Sequence, residues 1–171
     1  MARAAVQQGR GVVVLVPEIG LTSHVARHFV SAFPDRVALL HSRLTSRRRW
    51  DEWDRIRSGQ ADVVVGARSA LFAPLKDVGL IVADEEHDHA YKQEDGVAYH
   101  ARDVALVMGR RWSAPVVLGS ATPSLESHSN AARGKYRLIR LARRVSDRPL
   151  PDVDVVDMRF NRNPHKRMSW L

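Results

Sequence analysis

Short apolar runs recur along the chain and are separated by more polar segments. Valine, leucine and isoleucine dominate five of these runs: Val12 to Val16, Val37 to Leu40, Val63 to Gly66, Leu80 to Ala83, and Val116 to Leu118. A run of this length without polar alternation is typical of a strand that is covered on both faces. The pattern therefore predicts a parallel sheet between layers of helices.

The segments between the runs show helical spacing. Two helices are indicated by residues that share one face: Val25, Phe29 and Phe33 after Thr22 or Ser23 as N-cap, and then Trp50, Trp53 and Ile56, whose tryptophans we interpret as packing residues. Two later helices are expected, from His100 or Ala101 to before Ala114 and from after Pro123 to Gly134. Alternating strands and helices predict an α/β fold with right-handed crossovers.

Composition narrows the class of protein. The chain has 171 residues, of which 44% are hydrophobic, so one packed domain is expected rather than a disordered chain. The formal net charge of +8 favours an anionic partner such as nucleic acid. The lack of cysteine excludes disulfides, thiolate zinc sites and cysteine nucleophiles within these residues. No apolar run approaches the about 20 residues of a membrane helix, and no signal peptide is evident, so we expect a cytoplasmic protein without a membrane partner.

Adjacent carboxylates follow the fourth apolar run, in the order Asp84, Glu85, Glu86, His87. The carboxyl edge of a parallel sheet is where open α/β folds bind ligands. In nucleotide hydrolysis the first carboxylate can hold Mg²⁺ and the second can orient the attacking water. An ordinary solvated acidic loop is the alternative.

Small and hydroxyl residues follow the fifth apolar run in the order Gly119, Ser120, Ala121, Thr122, Pro123. The hydroxyls of Ser120 and Thr122 could hydrogen-bond a neighbouring acidic loop and shift when a phosphate leaves. The same residues are also typical of a capped helix start. Taken alone, this segment favours the capped helix start.

Together the two segments resemble motifs II and III of superfamily 2 helicases, which are built on RecA-like domains. Four segments in this order are similar to the primosomal protein N′ family of replication-restart helicases: Val16 to Thr22, Gly66 to Phe72, Asp84 to His87, and Gly119 to Ser124. The resemblance covers roughly residues 11 to 160. It implies a RecA-like parallel sheet flanked by helices, part of the first domain of a P-loop NTPase helicase.

The resemblance also implies roles for individual residues. Asp84 would bind the Mg²⁺ of MgATP, Glu85 would activate the hydrolytic water, and His87 would couple the nucleotide to DNA. Ser120 and Thr122 would relay between hydrolysis and strand movement. The single-stranded DNA path would be lined by residues that resemble motifs Ia and Ib: Pro17, Glu18, Thr22, Ala67, Arg68 and Ser69. A guanidinium such as that of Arg68 can grip a phosphate with two hydrogen bonds.

The polar stretch from Asp84 to Tyr99 predicts a long functional loop. With the residues after it, it matches the aromatic-rich loop of the same family at Tyr91, Lys92, Gln93, Tyr99, His100, Arg102 and Asp103. Its tyrosines could stack on bases while Lys92 and Arg102 meet phosphates. Alternatively, the tyrosines pin the loop to the domain. The spacing of its histidines matches no helix-face metal site.

A helicase of this type needs a phosphate-binding loop of the pattern G-x-x-x-x-G-K-[ST], which these residues lack. In the family that loop lies upstream, so residues 1 to 10 would be the end of a helix and its turn. We expect a partial domain over residues 1 to 141 and a linker over 142 to 171 toward a second helicase domain. The loss of a strand should leave a gap or a new edge in the sheet. The family's zinc-binding cysteines would lie outside this segment.

The leading hypothesis is therefore part of an ATP-dependent 3′→5′ DNA helicase that acts on single strands and forks, with replication-restart proteins as partners. ATP and Mg²⁺ would serve the intact protein, whereas the 171 residues alone are expected to be inactive. The rival hypothesis is a non-catalytic nucleic-acid-binding or scaffolding module. A two-metal nuclease is disfavoured, since no further carboxylates follow other predicted strands.

Overall fold

The computed structural model describes residues 1–17 and 24–141. Glu18, Thr22, Ser23 and the predicted linker over 142–171 lie outside these ranges. Residues Met1–Tyr136 form one compact unit. This unit carries the remaining residues that the sequence singles out as chemically important.

The core of the unit is a parallel sheet, as predicted. Its strands among the described residues are β1 (Gly11–Leu15), β2 (Val37–Leu40), β3 (Val63–Gly66), β4 (Val78–Ala83) and β7 (Val116–Leu118), in the order β2-β3-β1-β4-β7. The five strands pair without a gap, and β7, whose residues are half-buried, forms one edge.

Apolar side chains pack on both faces of the sheet, which explains the continuous valine-rich runs. Along β1, Val13 and Leu15 pack on one face, and Val12 and Val14 pack on the other. Each of these residues is at most 1% exposed. Burial of one such side chain contributes about 1.5–3 kcal/mol to folding.

Four helices cover the two faces among the described residues: α1 (Ala2–Gln7), α2 (His24–Ala32), α3 (Ser46–Ser58) and α4 (Ala101–Arg111). A further helix, α5 (Leu125–Ala132), follows β7. Residues of α1 and α2 join the core with Val12, whereas Ile56 of α3 and Ala105 of α4 join the core with Val13. Within the ranges described, no helix is long and apolar enough to cross a bilayer.

Helix α3 shows why its boundaries follow from sequence and why one prediction on it is wrong. Thr45 caps its start by accepting a hydrogen bond from the amide of Arg48 at 3.3 Å, and Gly59 ends it in a left-handed conformation. Ile56 is buried as predicted. Trp53 is half-buried, whereas Trp50 is 67% exposed and does not pack in the core. A helix turns by about 100° per residue, so Trp50, six residues before Ile56, faces about 120° away from it.

The stretch predicted as a long loop contains short ordered elements. A 3₁₀ turn spans His89–Tyr91, and β5 (Lys92–Gln93) pairs antiparallel with β6 (Tyr99–His100). The connection between the two strands passes through Gly96 with φ +73°, a conformation that favours glycine. This hairpin leads directly into α4, for which His100 is the N-cap.

Candidate functional site

The segments after β4 and β7 meet at the carboxyl edge of the sheet. Because the two strands are parallel neighbours, their ends lie side by side. The amide of Gly119 donates to the carbonyl of Ala83 at 2.8 Å, and the amide of Glu86 donates to the carbonyl of Gly119 at 3.0 Å. A Cβ on Gly119 would lie 3.4 Å from Oδ1 of Asp84. The structure thus brings the two predicted chemical segments into direct contact.

The first two residues of the acidic segment, Asp84 and Glu85, differ in exposure and in backbone conformation. Asp84 is half-buried, and its Oδ1 accepts a hydrogen bond from the amide of Glu85 at 3.1 Å. Glu85 is exposed and has φ +47°, in the left-handed region that residues with a side chain seldom adopt. A single, partly exposed carboxylate fits Mg²⁺, which keeps several waters and takes other ligands from substrate phosphates.

His87 connects the acidic segment to the hydroxyl segment. Its Nδ1 lies 2.7 Å from Oγ of Ser120, and its Nε2 lies 3.5 Å from Oγ1 of Thr122. Nδ1 is also 3.7 Å from Oε2 of Glu85. Oγ of Ser120 in turn accepts a hydrogen bond from the amide of Thr122 at 3.0 Å. The predicted coupling residues therefore lie in one hydrogen-bonded chain that starts beside Glu85.

Glu86 is a buried residue of the site to which the helicase resemblance assigned no role. It is 1% exposed, and its carboxylate accepts hydrogen bonds from Arg102, Ser124 and Ser127. Burial alone would raise the pKa of Glu86, but the hydrogen bonds from Ser124, Ser127 and Arg102 outweigh it and lower the pKa. Both of its neighbours in sequence, Glu85 and His87, are polar and exposed, so no local signal marked its burial.

Tyr91 and Arg102 do not take the DNA-contacting roles considered for them. Tyr91 is 0% exposed, and its hydroxyl donates to the carbonyl of Asp84 at 2.6 Å, so its ring cannot stack on a base. Burial, with added effects of Asp84 and Asp88, raises its pKa. The side chain of Arg102 is 9% exposed and binds Glu86, Ser124 and Asp103. Tyr91 thus agrees with the alternative hypothesis, in which a tyrosine pins the loop to the domain.

Arg68 binds the same loop from the motif Ib segment. Its Nη1 donates to the carbonyls of Ala90 and Lys92, both at 3.1 Å, so this nitrogen of the guanidinium binds the backbone of the loop. The turn that carries Arg68 packs closely on the end of β3, since a Cβ on Gly66 would lie 2.6 Å from Cβ of Ala70 and 2.3 Å from the carbonyl oxygen of Leu40 on the neighbouring β2. Only a residue without a side chain fits there.

The remaining predicted residues lie around this edge. Pro17 follows β1 and is half-buried, and Ala67 and Ser69 follow β3. Phe72 and half-buried Tyr99 pack edge to face with ring centres 5.5 Å apart.

On the hairpin, Lys92 is exposed and pairs with Glu94 at 2.6 Å, and this contact lowers the pKa of Glu94. Nε2 of Gln93 donates to the carbonyl of Asp95 at 2.6 Å. Within the described residues, Nδ1 of His100 is buried without a hydrogen-bond partner, and burial lowers the pKa of His100.

Comparison with known proteins assigns the chain to a family. The sequence profile of the DEAD/DEAH box helicase family matches residues 1–131. The chain belongs to this family, as the motifs indicated.

Particular relatives agree with the narrower resemblance. Replication restart protein PriA from Bacillus subtilis is 46% identical over 162 residues, which are 94% of this chain and 20% of that protein. Replication restart protein PriA from Haemophilus influenzae is 44% identical over 163 residues, which are 95% of this chain and 22% of that protein. The chain thus spans about a fifth of the length of these curated relatives. A structure of RecG bound to a three-way DNA junction aligns with a TM-score of 0.49 and 26% identity, covering 74% of this chain and 16% of that one.

Proposed function

We propose that these residues form part of the motor of an ATP-dependent 3′→5′ DNA helicase that acts in replication restart. The observation that carries the proposal is the contact between the acidic segment after β4 and the hydroxyl segment after β7, with His87 2.7 Å from Ser120. Family membership and the similarity to replication restart proteins support the same function. Single-stranded DNA and forks are the proposed substrates, with replication-restart proteins as partners.

Each residue of this contact has a proposed role. Asp84, half-buried at the end of β4, would hold Mg²⁺, which neutralises charge on the ATP phosphates when bound. Glu85 projects from an exposed position and would orient the attacking water. His87 and Ser120 would move together when the nucleotide state changes, since their side chains are in direct contact.

The proposed DNA path runs along the carboxyl edge of β1 and β3. Pro17, Ala67 and Ser69 lie there, and the exposed Lys92 extends the path at the hairpin. Arg68 would act by holding the hairpin beside the path, because its Nη1 binds the carbonyls of Ala90 and Lys92. Glu18 and Thr22 keep the roles that their resemblance to motif Ia implies. Residues 142–171 would link this domain to a second helicase domain.

The 171 residues alone are proposed to be inactive, because they contain no G-x-x-x-x-G-K-[ST] loop to hold the β and γ phosphates. The test compares ATP hydrolysis, with and without single-stranded DNA, by this chain and by a chain extended on both sides to the length of its relatives. We expect DNA-stimulated hydrolysis only from the extended chain. Glu85→Gln should abolish it, whereas Asp54→Asn, which changes an exposed carboxylate of α3 away from the site, should keep it.

Two results would contradict the proposal. If the extended chain hydrolyses no ATP with or without DNA, these residues are not part of a helicase motor. DNA-stimulated turnover by the 171-residue chain, lost in Glu85→Gln, would show that the phosphates are held without the expected loop.

A non-catalytic nucleic-acid-binding module is the second candidate, and the net charge of +8 favours it. Binding of single-stranded DNA by the extended chain, with no hydrolysis under any condition, would select it. The affinity should then fall with salt by a log–log slope of about −0.7 for each phosphate contact.

A further inference from the structure

One buried ionic cluster lies directly behind the candidate site. Its centre is Glu86, which is 1% exposed although Glu85 and His87 on either side are exposed. Ionised side chains are seldom fully buried unless they are paired and hydrogen-bonded. Glu86 meets this requirement through groups that come from two other segments.

The start of α5 supplies hydroxyl and amide donors to Glu86. Oε1 accepts from the amide of Ser124 at 2.7 Å, and Oε2 accepts from the hydroxyls of Ser124 at 3.0 Å and Ser127 at 2.9 Å. Ser124 is also the N-cap of α5, where its Oγ accepts from the amide of Ser127 at 3.2 Å. The carboxylate therefore holds the end of the segment that begins with Gly119 and Ser120.

The start of α4 supplies the counter-charge. Nη1 of Arg102 lies 3.2 Å from Oε2 of Glu86 and donates to Oγ of Ser124 at 2.7 Å. Both charges are withdrawn from water, since the side chains are 9% and 1% exposed. Because a buried ionic pair is costly to break on one side, the three segments are held in one arrangement.

Glu85 lies between two fixed points of the backbone. On one side, Asp84 donates its amide to the carbonyl of Leu15 at 2.9 Å and accepts from Tyr91 at its own carbonyl. On the other side, Glu86 is held through its amide and its side chain. A left-handed residue with a side chain persists only where the surrounding structure imposes that conformation. The φ of +47° at Glu85 is therefore imposed by its neighbours.

We propose that Glu86 is a positioning residue, whose buried carboxylate keeps Glu85 in its left-handed conformation and holds the segment from Ser120 to Ser124 against it. This inference rests on the proposed ATP hydrolysis and extends it to a residue that touches no nucleotide. Glu86 would fix the distance between the group that orients water and the His87–Ser120 contact. A misplacement of about 1 Å in such a group costs about 100-fold in rate.

The first measurement is ATP hydrolysis by the extended chain, with each rate corrected for the folded fraction. Glu86→Ala is expected to lower kcat about 100-fold and to leave KM for ATP within about threefold, because the phosphates are held elsewhere. The double variant Glu86→Gln/Arg102→Gln keeps an oxygen acceptor for the Ser124 amide and removes both buried charges together. It should recover at least about tenfold of the lost kcat.

Glu126→Gln is the matched control. Its carboxylate lies 3.9 Å from the same Nη1 of Arg102, but its side chain is 69% exposed and holds no backbone of the site. It should change kcat less than about twofold. Glu86→Ala with wild-type kcat, or with a rise in KM that accounts for the whole loss, would overturn the inference.

The second measurement does not depend on hydrolysis. Nuclear magnetic resonance of the 171-residue chain reports the backbone conformation of Glu85 through its chemical shifts and the exchange rate of the Ser124 amide. In Glu86→Ala, we expect at least about tenfold faster exchange at Ser124 and a shift of Glu85 away from left-handed values. Unchanged Glu85 shifts would overturn the inference. If the extended wild-type chain hydrolyses no ATP, the proposed function fails while these spectra still decide the role of Glu86.

Discussion

Two regions of the molecule contain arginine–carboxylate pairs of similar length in very different surroundings. Behind the candidate site, Arg102 and Glu86 lie 3.2 Å apart, with side chains 9% and 1% exposed. On α3, Arg57 and Asp54 lie 2.8 Å apart, with side chains 68% and 49% exposed. Removal of one partner should cost more in the buried pair although its contact is longer, because water can solvate the charge left behind on α3 but not the charge left behind in the interior. Burial, more than distance, decides which charges the fold depends on.

The largest effect is expected from breaking the buried pair on one side. Arg102→Met removes the counter-charge of Glu86 and leaves a buried carboxylate with neutral donors only. The free energy of unfolding should fall by about 3–5 kcal/mol. Urea denaturation followed by circular dichroism measures this change.

Arg57→Met is the control for that experiment. It removes an arginine of the exposed pair on α3 and should cost at most about 1 kcal/mol. Equal losses in the two variants would contradict the comparison.

The next effect concerns the tyrosine that pins the hairpin. Tyr91→Phe deletes the hydroxyl that donates to the carbonyl of Asp84, and it should lower the free energy of unfolding by about 0.5–1.5 kcal/mol. Tyr99→Phe is the matched variant, because within the described ranges the Tyr99 hydroxyl makes no hydrogen bond. The same urea experiment should show a change below about 0.5 kcal/mol for Tyr99→Phe. A larger loss of stability in Tyr99→Phe than in Tyr91→Phe would show that Tyr99, and not Tyr91, anchors the hairpin.

The sheet could be predicted from sequence because a strand buried on both faces requires a continuous run of apolar residues. Val37–Leu40, Val63–Gly66 and Val116–Leu118 match the expected runs, and Gly11–Leu15 and Val78–Ala83 differ from them only at their ends. The motifs after β4 and β7 could also be placed, since parallel strands bring their carboxyl ends to one edge.

The network behind the site could not be predicted, because burial of a charge depends on partners distant in sequence. Glu86 receives its hydrogen bonds from residues 16 to 41 positions later in the chain. Tyr91 and Arg102 are an aromatic and a basic residue in a segment expected to meet DNA, and only their contacts show that they face inward. Trp50 shows the opposite error, in which helical spacing predicted burial for an exposed side chain.

A smaller effect is expected from protonation of His100. Burial, followed by the charge of Arg102, lowers its pKa below 6.5, although Asp103, Glu86 and Glu126 oppose this shift. The unfolded chain therefore takes up the proton at a higher pH than the folded chain. The stabilisation is complete above about pH 6.5 and is lost as the pH falls through the pKa of the folded state.

The slope of stability against pH tests this titration. Urea midpoints between pH 8 and 5 should decline below about pH 6.5 in the wild type. His100→Phe removes the titration and the buried Nδ1, so its profile should be flatter over that range, with stability at pH 8 no lower than that of the wild type. If the profiles of the wild type and His100→Phe ran parallel, groups other than His100 would cause the loss of stability at low pH.

The smallest effect belongs to the exposed charges of α3, whose first turn contains no acidic residue. Ser46→Glu places a carboxylate at the positive end of the helix dipole and three residues before Arg49, so it should raise the free energy of unfolding by about 0.3–1 kcal/mol. Ser58→Glu makes the same change at the last residue of α3, where the dipole is unfavourable, and should lower stability by a similar amount. Urea unfolding at low salt measures both, and the difference should shrink in about 1 M salt, where the Debye length is about 3 Å. If the difference between the two variants persisted in about 1 M salt, the exposed charges of α3 would not be screened as expected. The contrast between exposed and buried charges would then be smaller.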